Sequence, residues 1–256
     1  MLCRKHTGGG PSSEFCSLIQ LATARAQSNT GKGDPFPAPA CVLVTPNASV
    51  GESEIRLILC YSRFMHIETR RFVLRDFSER DRQPFIDYQM DPRYRRLYDL
   101  SEADPARANT LFDLFGDWRC HNTRQNYQVG IFDRIDSILG GCAGLRRSGQ
   151  AERAAVFGLE LSPNNWGRFG MAVECSGALL EYGFLTLNLD QIIGTTASGN
   201  SRIEALALWF GASVVGRRHG TRWMKMRGWH EVDWALSRAA WEVSPGRHRH
   251  LRASHP

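Results

Sequence analysis

Between Ser162 and Phe184 the chain reads SPNNWGRFGMAVECSGALLEYGF. A Pro-Asn-Asn turn leads into Gly167, Arg168 and Gly170, and a run with helical spacing follows at once. Amides at the start of a helix have no intrahelical acceptor, and the helix dipole favours an anion there. Glycines lack a Cβ, so a phosphate can approach the main chain, and an arginine adds charge. The same residues also make an ordinary tight turn with a solvated arginine. Spacing alone leaves both readings open. Elsewhere the reactive side chains are dispersed. Cys3, Cys16, Cys41, Cys60, Cys120, Cys142 and Cys175 stand singly, without the close spacing of a zinc site, and their odd number argues against a disulfide framework. His66, His121, His219 and His230 have no metal-ligand spacing either, so no metal centre is expected.

Such a turn needs a strand before it and a helix after it, and the flanking sequence supplies both. AAVFGLELSP reads as a strand stopped by Pro163. Residues 171–187 fit a helix, with Ala172, Ser176, Leu179, Leu180 and Gly183 on one face and Glu174 and Glu181 on another. Upstream, HIETRRFVLRDF alternates as a single strand with Ile67, Phe72 and Leu74 apolar. SERDRQPFIDYQM opens on Ser78 and Asp81, a helix-start signature, with Pro84 late for a first turn. PARANTLFDLFGDWR predicts a second helix, and NYQVGIFDRIDSILGGCAGLRRSG predicts a strand, a turn at Asp133–Asp136 and a strand. DQIIGTTAS is a further strand. NSRIEALALWFG is a helix capped by Asn200, with Ile203, Leu206, Ala207 and Phe210 on one face and Gly211 as its stop. ASVVGRRHG and TRWMKMRGWHEVDWALSR supply two or three more strands. The order β-α-α-β-β-β-α-β-α-β-β predicts an α+β domain with helices packed over a mixed sheet.

The 256 residues allow one large domain, or one ordinary domain with tails. Residues 1–64 are rich in Gly, Pro, Ser and Ala and read as a disordered arm or a misassigned leader, with Met65 the biological start. Residues 65–243 carry the periodic pattern, and residues 244–256 read as a flexible tail. The net charge of +6 would suit nucleic acid, but its distribution does not. Residues 1–64 carry six Lys/Arg against four Asp/Glu, and residues 244–256 carry three Arg and no acid, so the middle is nearly neutral. No specific nucleic-acid partner is expected. No apolar run approaches the ~20 residues that span a bilayer, and no apolar core follows the basic N-terminus. A cytoplasmic protein without a membrane partner is the default reading.

Taken together, these segments resemble the GNAT superfamily of N-acetyltransferases, and within it the RimJ/RimL-like ribosomal-protein branch. IETRRFVLRDF is similar to the opening strand of that branch at Thr69, Arg71, Phe72, Leu74 and Arg75. GLELSPNNWGRFGMAVE resembles its signature at Gly158, Leu161, Pro163, Trp166, Gly167 and Glu174. The spacing from Asn200 to Gly211 and the closing GWHEVDWALSRAAWE, with Asp233 and Trp241, extend the match over about residues 66–242. The loop is one residue longer than usual, and Ile203 stands where the family often has serine.

The resemblance implies a mixed, mostly antiparallel central sheet flanked by helices. It implies that acetyl-CoA is the donor and an amine, on a peptide or a small molecule, is the acceptor. Direct attack would occur in a ternary complex, with strand N–H groups around Glu160 and Leu161 polarising the thioester. Glu160 would be the general base, its bland reading being a solvent-facing strand residue, and Ser201 would supply the leaving thiolate's proton. Leu161, Trp166, Gly167, Arg168, Phe169, Gly170, Met171, Ala172 and Asn200 would form the cofactor site. Arg93, Arg95 and Arg96 would border the acceptor site or lie on a solvated face. Trp166, Phe157 and Trp209 read first as packing, and Glu174 as a partner of the helix dipole. A homodimer is compatible with the family. The competing reading is a GNAT domain that binds acyl-CoA without chemistry.

Overall fold

Antiparallel neighbours build the first half of the sheet. The computed structural model describes residues 64–95, 104–121, 123–147 and 153–247; the expectations for the leader and for residues 248–256 fall outside these, Phe64 apart. Strands β1 (His66–Glu68), β2 (Phe72–Arg75), β3 (Asn126–Asp133), β4 (Leu139–Arg147) and β5 (Ala154–Leu161) each pair antiparallel with the next. The segment expected to be one strand is therefore two. The Thr69 hydroxyl donates to the Phe72 carbonyl and accepts from its amide, both at 3.0 Å. A local side-chain bond of this kind offers the backbone an alternative to a continuous strand. Ile67 then lies opposite Leu74.

Strands β6 (Gln191–Ala197), β7 (Ser213–Arg218) and β8 (Glu231–Ser237) form the other half, giving the order β1-β2-β3-β4-β5-β6-β8-β7. Among the described strands, only the β5–β6 pair is parallel. The α+β class and the mostly antiparallel mixed sheet are as expected. The closing segments supply two strands, β7 and β8, within the expected two or three; between them lies the short helix Arg222–Lys225, whose Trp223 and Met224 are buried against Ala197.

Helices cover both faces. On one lie α1 (Arg82–Met90), the single turn α2 (Pro92–Arg95) and α3 (Pro105–Cys120). The Ser78 and Asp81 signature forms a reciprocal capping box over the 3-10 turn Glu79–Asp81, so Pro84 falls in the first turn of α1, where no intrahelical amide is needed. Asp104 caps α3, its carboxylate accepting the Ala106 amide at 2.9 Å. Phe77, Phe85, Phe112 and Phe115 pack edge-on and stacked beneath these helices.

The opposite face carries α4 (Phe169–Glu181) and α5 (Ser201–Trp209). Helix α4 departs from its expected bounds. It begins at Phe169 and ends at Glu181, and Tyr182–Thr186 form a wider π turn. It is also buried almost all round, including Glu174, so the expected polar face is absent. Each fully buried Leu or Met contributes roughly 1.5–3 kcal/mol, so packing rather than amphipathicity holds α4 in place. Residues 244–247 continue as turns against the body, with Ser244 buried and the Arg247 guanidinium 4.9 Å from the Trp241 ring centre.

Candidate functional site

Parallel strands β5 and β6 are in register at Ala154–Gln191, Ala155–Ile192 and Val156–Ile193, and then they part. Each strand continues for several residues beyond that fork. The main-chain groups exposed there follow from alternation in the ladder. Ser162 donates to the Gly140 carbonyl on the β4 side, and the Arg153 carbonyl accepts from Asp190 and Gln191 on the β6 side. Amides and carbonyls of odd-numbered β5 residues therefore face β6. Past the fork these belong to Phe157, Leu159 and Leu161. Glu160 and Gly158 spend theirs on β4, so of the strand groups expected around Glu160 and Leu161, those of Leu159 and Leu161 face the fork. Leu161 already accepts from the Trp166 indole N–H at 2.8 Å.

Both parted strands run into helices, so the N-termini of α4 and α5 lie at the same end of the sheet, flanking the mouth of the fork. The fold thereby brings the Gly167–Ala172 turn and Asn200–Ser201 to one place. Gly167 has φ +82°, a conformation that L side chains rarely adopt, and is exposed. Gly170 lies in the first turn of α4 with no positive φ, so its lack of a side chain matters for space rather than for conformation. Arg168 is the N-cap residue, but no side chain caps the helix. Its carbonyl takes the amides of Met171 at 2.9 Å and Ala172 at 3.5 Å. Among the described backbone bonds, the Phe169 and Gly170 amides have no acceptor.

A second cation stands over this end. The Arg71 guanidinium reaches to 3.2 Å from the position a Gly170 Cβ would take. Glu174, one turn into α4, fixes it: its carboxylate accepts the Arg71 amide and the Arg71 Nε, both at 2.8 Å. Burial pushes the Glu174 carboxyl up, but the hydrogen bonds from Arg71 and Thr69 outweigh it and hold the group below its ordinary value of 4.5. Glu174 is thus a clamp for an arginine rather than a plain partner of the helix dipole. The sequence reading missed Arg71 as a site residue because 103 positions separate the two. Arg168, exposed, bonds Asn165 at 3.3 Å and completes a basic rim.

Glu160 is buried at 5% exposure, not solvent-facing, on the face beneath α1. Its Oε2 accepts the Gln89 amide at 3.0 Å and the Tyr88 hydroxyl at 3.3 Å, with Cys142 Sγ at 3.8 Å. Burial first, then Cys142 and Glu160, push the Tyr88 phenol well above its ordinary value; burial and Glu160 do the same to the Cys142 thiol. Burial pulls neighbouring Arg146 down to about 10, against the influence of Cys142 and Glu160. Tyr88 and Gln89 carry no motif, and only the packing of α1 on the sheet reveals their role.

The remaining candidates divide by position. The Asn200 side chain accepts the Ile203 amide at 3.4 Å as the cap of α5, and Ser201 is exposed in the first turn. Met171 is buried in the core, and Ala172 and Leu161 are partly buried beside it. Trp166 packs against the aromatic core under α1–α3. Arg93 is exposed and bonds Asp91 and, at 2.8 Å, Asn164 of the turn; Arg96 falls outside the described residues.

A forked parallel pair with open amides, and a basic helix start at its mouth, can hold a thioester with a polyphosphate tail. Comparison with known proteins agrees. A family model described as Acetyltransferase (GNAT) domain matches residues 71–213. The "Uncharacterized N-acetyltransferase p20" of Bacillus licheniformis is 27% identical over 125 residues, 48% of this chain and 68% of that protein. The crystal structure of a GNAT-family acetyltransferase from Bacillus anthracis superposes with TM-score 0.55 at 19% identity, covering 68% of this chain and 98% of that one. A spermidine N-acetyltransferase SpeG chimera from Vibrio cholerae and hSSAT gives 0.54 at 19% identity, covering 67% and 98%. At these identities the superpositions speak for the fold, and the family match covers more than half of the chain: the protein belongs to the GNAT acetyltransferase domain family.

Proposed function

We infer that the chain is an acetyl-CoA-dependent N-acetyltransferase acting on a primary amine, of a protein N-terminus or of a small molecule, in the cytoplasm. One observation carries this reading: the β5–β6 fork turns the Leu159 and Leu161 main chain toward a cleft whose mouth holds the open start of α4 and Arg71. The pyrophosphate of the donor would lie at Gly167–Ala172, and the thioester along β5. A free amine has a pKa of about 8–10 and must lose a proton before it attacks. Glu160, oriented by Tyr88 and Gln89, takes that proton. The C–N bond forms, the carbonyl oxygen gathers charge against strand N–H groups, and the C–S bond breaks. Ser201, at the mouth, returns a proton to the thiolate. The opening-strand residues Thr69–Arg75 and the Gly158–Glu174 signature support the RimJ/RimL-like branch within the family.

The test is a turnover screen with acetyl-CoA over N-terminal peptides, polyamines, amino acids and aminoglycosides, following release of free thiol. At least one amine class should turn over, and Glu160→Gln should lower kcat/KM by about 10²–10⁴-fold with little change in acetyl-CoA affinity. CoA binding without turnover on any amine would favour a non-catalytic acyl-CoA-binding domain. Failure to bind CoA would remove both readings.

A further inference from the structure

A run of unneutralised positive charge lies on the connection between β7 and β8. Residues 217–230 hold five Lys/Arg and no Asp/Glu. Arg218 is used within the sheet, meeting Glu231 at 2.8 Å and Asp233 at 2.7 Å. Arg222, Lys225 and Arg227 are exposed and pair with no carboxylate among the described residues. The connection is a fixed element. Trp223 and Met224 are buried against Ala197, Trp229 occupies the space a Cβ on Gly199 would need, and the Ser198 amide donates to the His230 carbonyl at 2.8 Å. The Arg227 guanidinium lies 5.0 Å from the Trp223 ring centre and 5.7 Å from that of Trp229, and it donates to the Trp223 carbonyl at 3.2 Å. A guanidinium held over aromatic faces keeps its charge and gives up little further freedom when it meets an anion.

The register places this connection relative to Glu160. Val156–Ile193 is the last pair of the parallel joint. Glu160 on β5 and Ala197 on β6 each lie four residues, ~13 Å of strand, beyond it. Leu159 and Ile192 belong to the core under α4, so alternation turns Glu160 and Ala197 to the other face. The base and the seat of the cationic connection are therefore level with each other, on opposite arms of the fork and on one face. An amine that gives its proton to Glu160 has the connection across from it. On the α2 side, Arg93 is already matched by Asp91 at 2.7 Å.

We propose that the acceptor is an anionic amine, one that carries a carboxylate or phosphate close to its primary amine, and that Arg222, Lys225 and Arg227 receive that group. The inference rests on the acetyl-transfer reading above and names its acceptor class. The bonds made and broken are those of that transfer. Because exposed charges act over a Debye length of ~8 Å at physiological salt, cationic amines such as polyamines are disfavoured at the same place.

Steady-state turnover by the full chain with acetyl-CoA tests this. The acceptors are C-terminally amidated tripeptides that start with aspartate, alanine or lysine, and ethanolamine phosphate against ethanolamine. An anionic acceptor should exceed its neutral counterpart about tenfold in kcat/KM, and the lysine peptide should fall below the alanine one. Either anionic source upholds the inference, and the larger ratio names the source. Raising salt from about 0.05 M to about 1 M shortens the Debye length to ~3 Å and should shrink the preference severalfold. A preference indifferent to salt would place the discrimination at a buried contact and overturn the assignment. The double variant Arg222→Ala/Lys225→Ala should raise KM for the anionic acceptor about tenfold, with little change in acetyl-CoA affinity or melting temperature. A double variant that weakens acetyl-CoA as much as the acceptor gives these cations to the donor's phosphates and overturns the inference. Equal kcat/KM across the charge series overturns it while acetyl transfer stands. If no amine turns over, the acetyl-transfer reading fails, and calorimetry of the same peptides on the protein with CoA present decides the site. Tighter binding of the aspartate peptide than of the alanine one, lost in the double variant, upholds it; equal binding removes it.

Discussion

Helices α4 and α5 begin at the same end of the sheet, each a few residues after one of the two parted strands, yet their first turns are finished in opposite ways. At α5 the chain caps itself: Asn200 accepts the Ile203 amide, and Gly211 ends the helix at φ +83°. At α4 nothing caps. Arg168 occupies the N-cap position without a side-chain bond, and an arginine clamped by Glu174 stands over the first turn. A self-capped helix start is a structural joint, whereas an uncapped one beneath a fixed guanidinium is built to meet an anion from outside.

The largest expected effect breaks the α4 side alone. Gly170→Val places a side chain against Arg71 and over the open amides. It should raise the acetyl-CoA dissociation constant at least tenfold, about 1.4 kcal/mol, while the melting temperature without ligand changes little. A well-folded Gly170→Val protein with normal CoA affinity would make the two helix starts equivalent after all. Next, Asn200→Ala removes the α5 cap. It should cost about 1 kcal/mol of stability in a denaturant titration and shift CoA affinity by less than about twofold, ~0.4 kcal/mol. A loss of affinity as large as that of Gly170→Val would show that the Asn200 side chain holds the ligand as well as the helix.

The smallest effect sharpens the electrostatics. Because the folded state holds the Glu174 carboxyl below 4.5, its contribution to stability is fully present above that value and is lost as pH falls through the depressed one. Melting scans between about pH 6 and pH 3 should therefore show a shallower acid decline in Glu174→Gln than in the parent protein. Identical slopes would mean that Arg71 is held by packing rather than by this charge.

Local signals were legible and long-range ones were not. Pro163 ending β5, the capping box at Ser78–Asp81, the Asn200 cap and the Gly211 stop each depend on residues within four or so positions, and each is in place. The glycine-rich turn was likewise readable as a helix start. What distinguishes Gly167 from Gly170, a left-handed φ in one and a nearby guanidinium in the other, depends on tertiary placement. Periodicity put Glu174 on a polar face because it cannot see that β1–β2 folds over α4 and delivers Arg71. Glu160 was found as the carboxylate of its strand, but Tyr88 and Gln89 come from α1, over seventy residues earlier. The same limit made one strand of two at Thr69, where a single side chain decides the backbone, and left the short Arg222–Lys225 helix unforeseen.

The short parallel joint at the fork also bears on how the molecule assembles. Strands β1 to β5 are joined to one another by antiparallel neighbours, several of them successive in the chain, whereas β6, β8 and β7 connect to them through three register positions and the crossover carried by α4. Contacts between chain neighbours close cheaply, and parallel crossovers close late. The five-stranded half can therefore collapse before the three-stranded half docks, with α4 as the strap between them. In the native state the amides at Ala155 and Ile193 should exchange with deuterium sooner than those in the middle of β3 and β4, and a ligand lodged in the fork should slow that seam by tying the two halves into one cooperative unit.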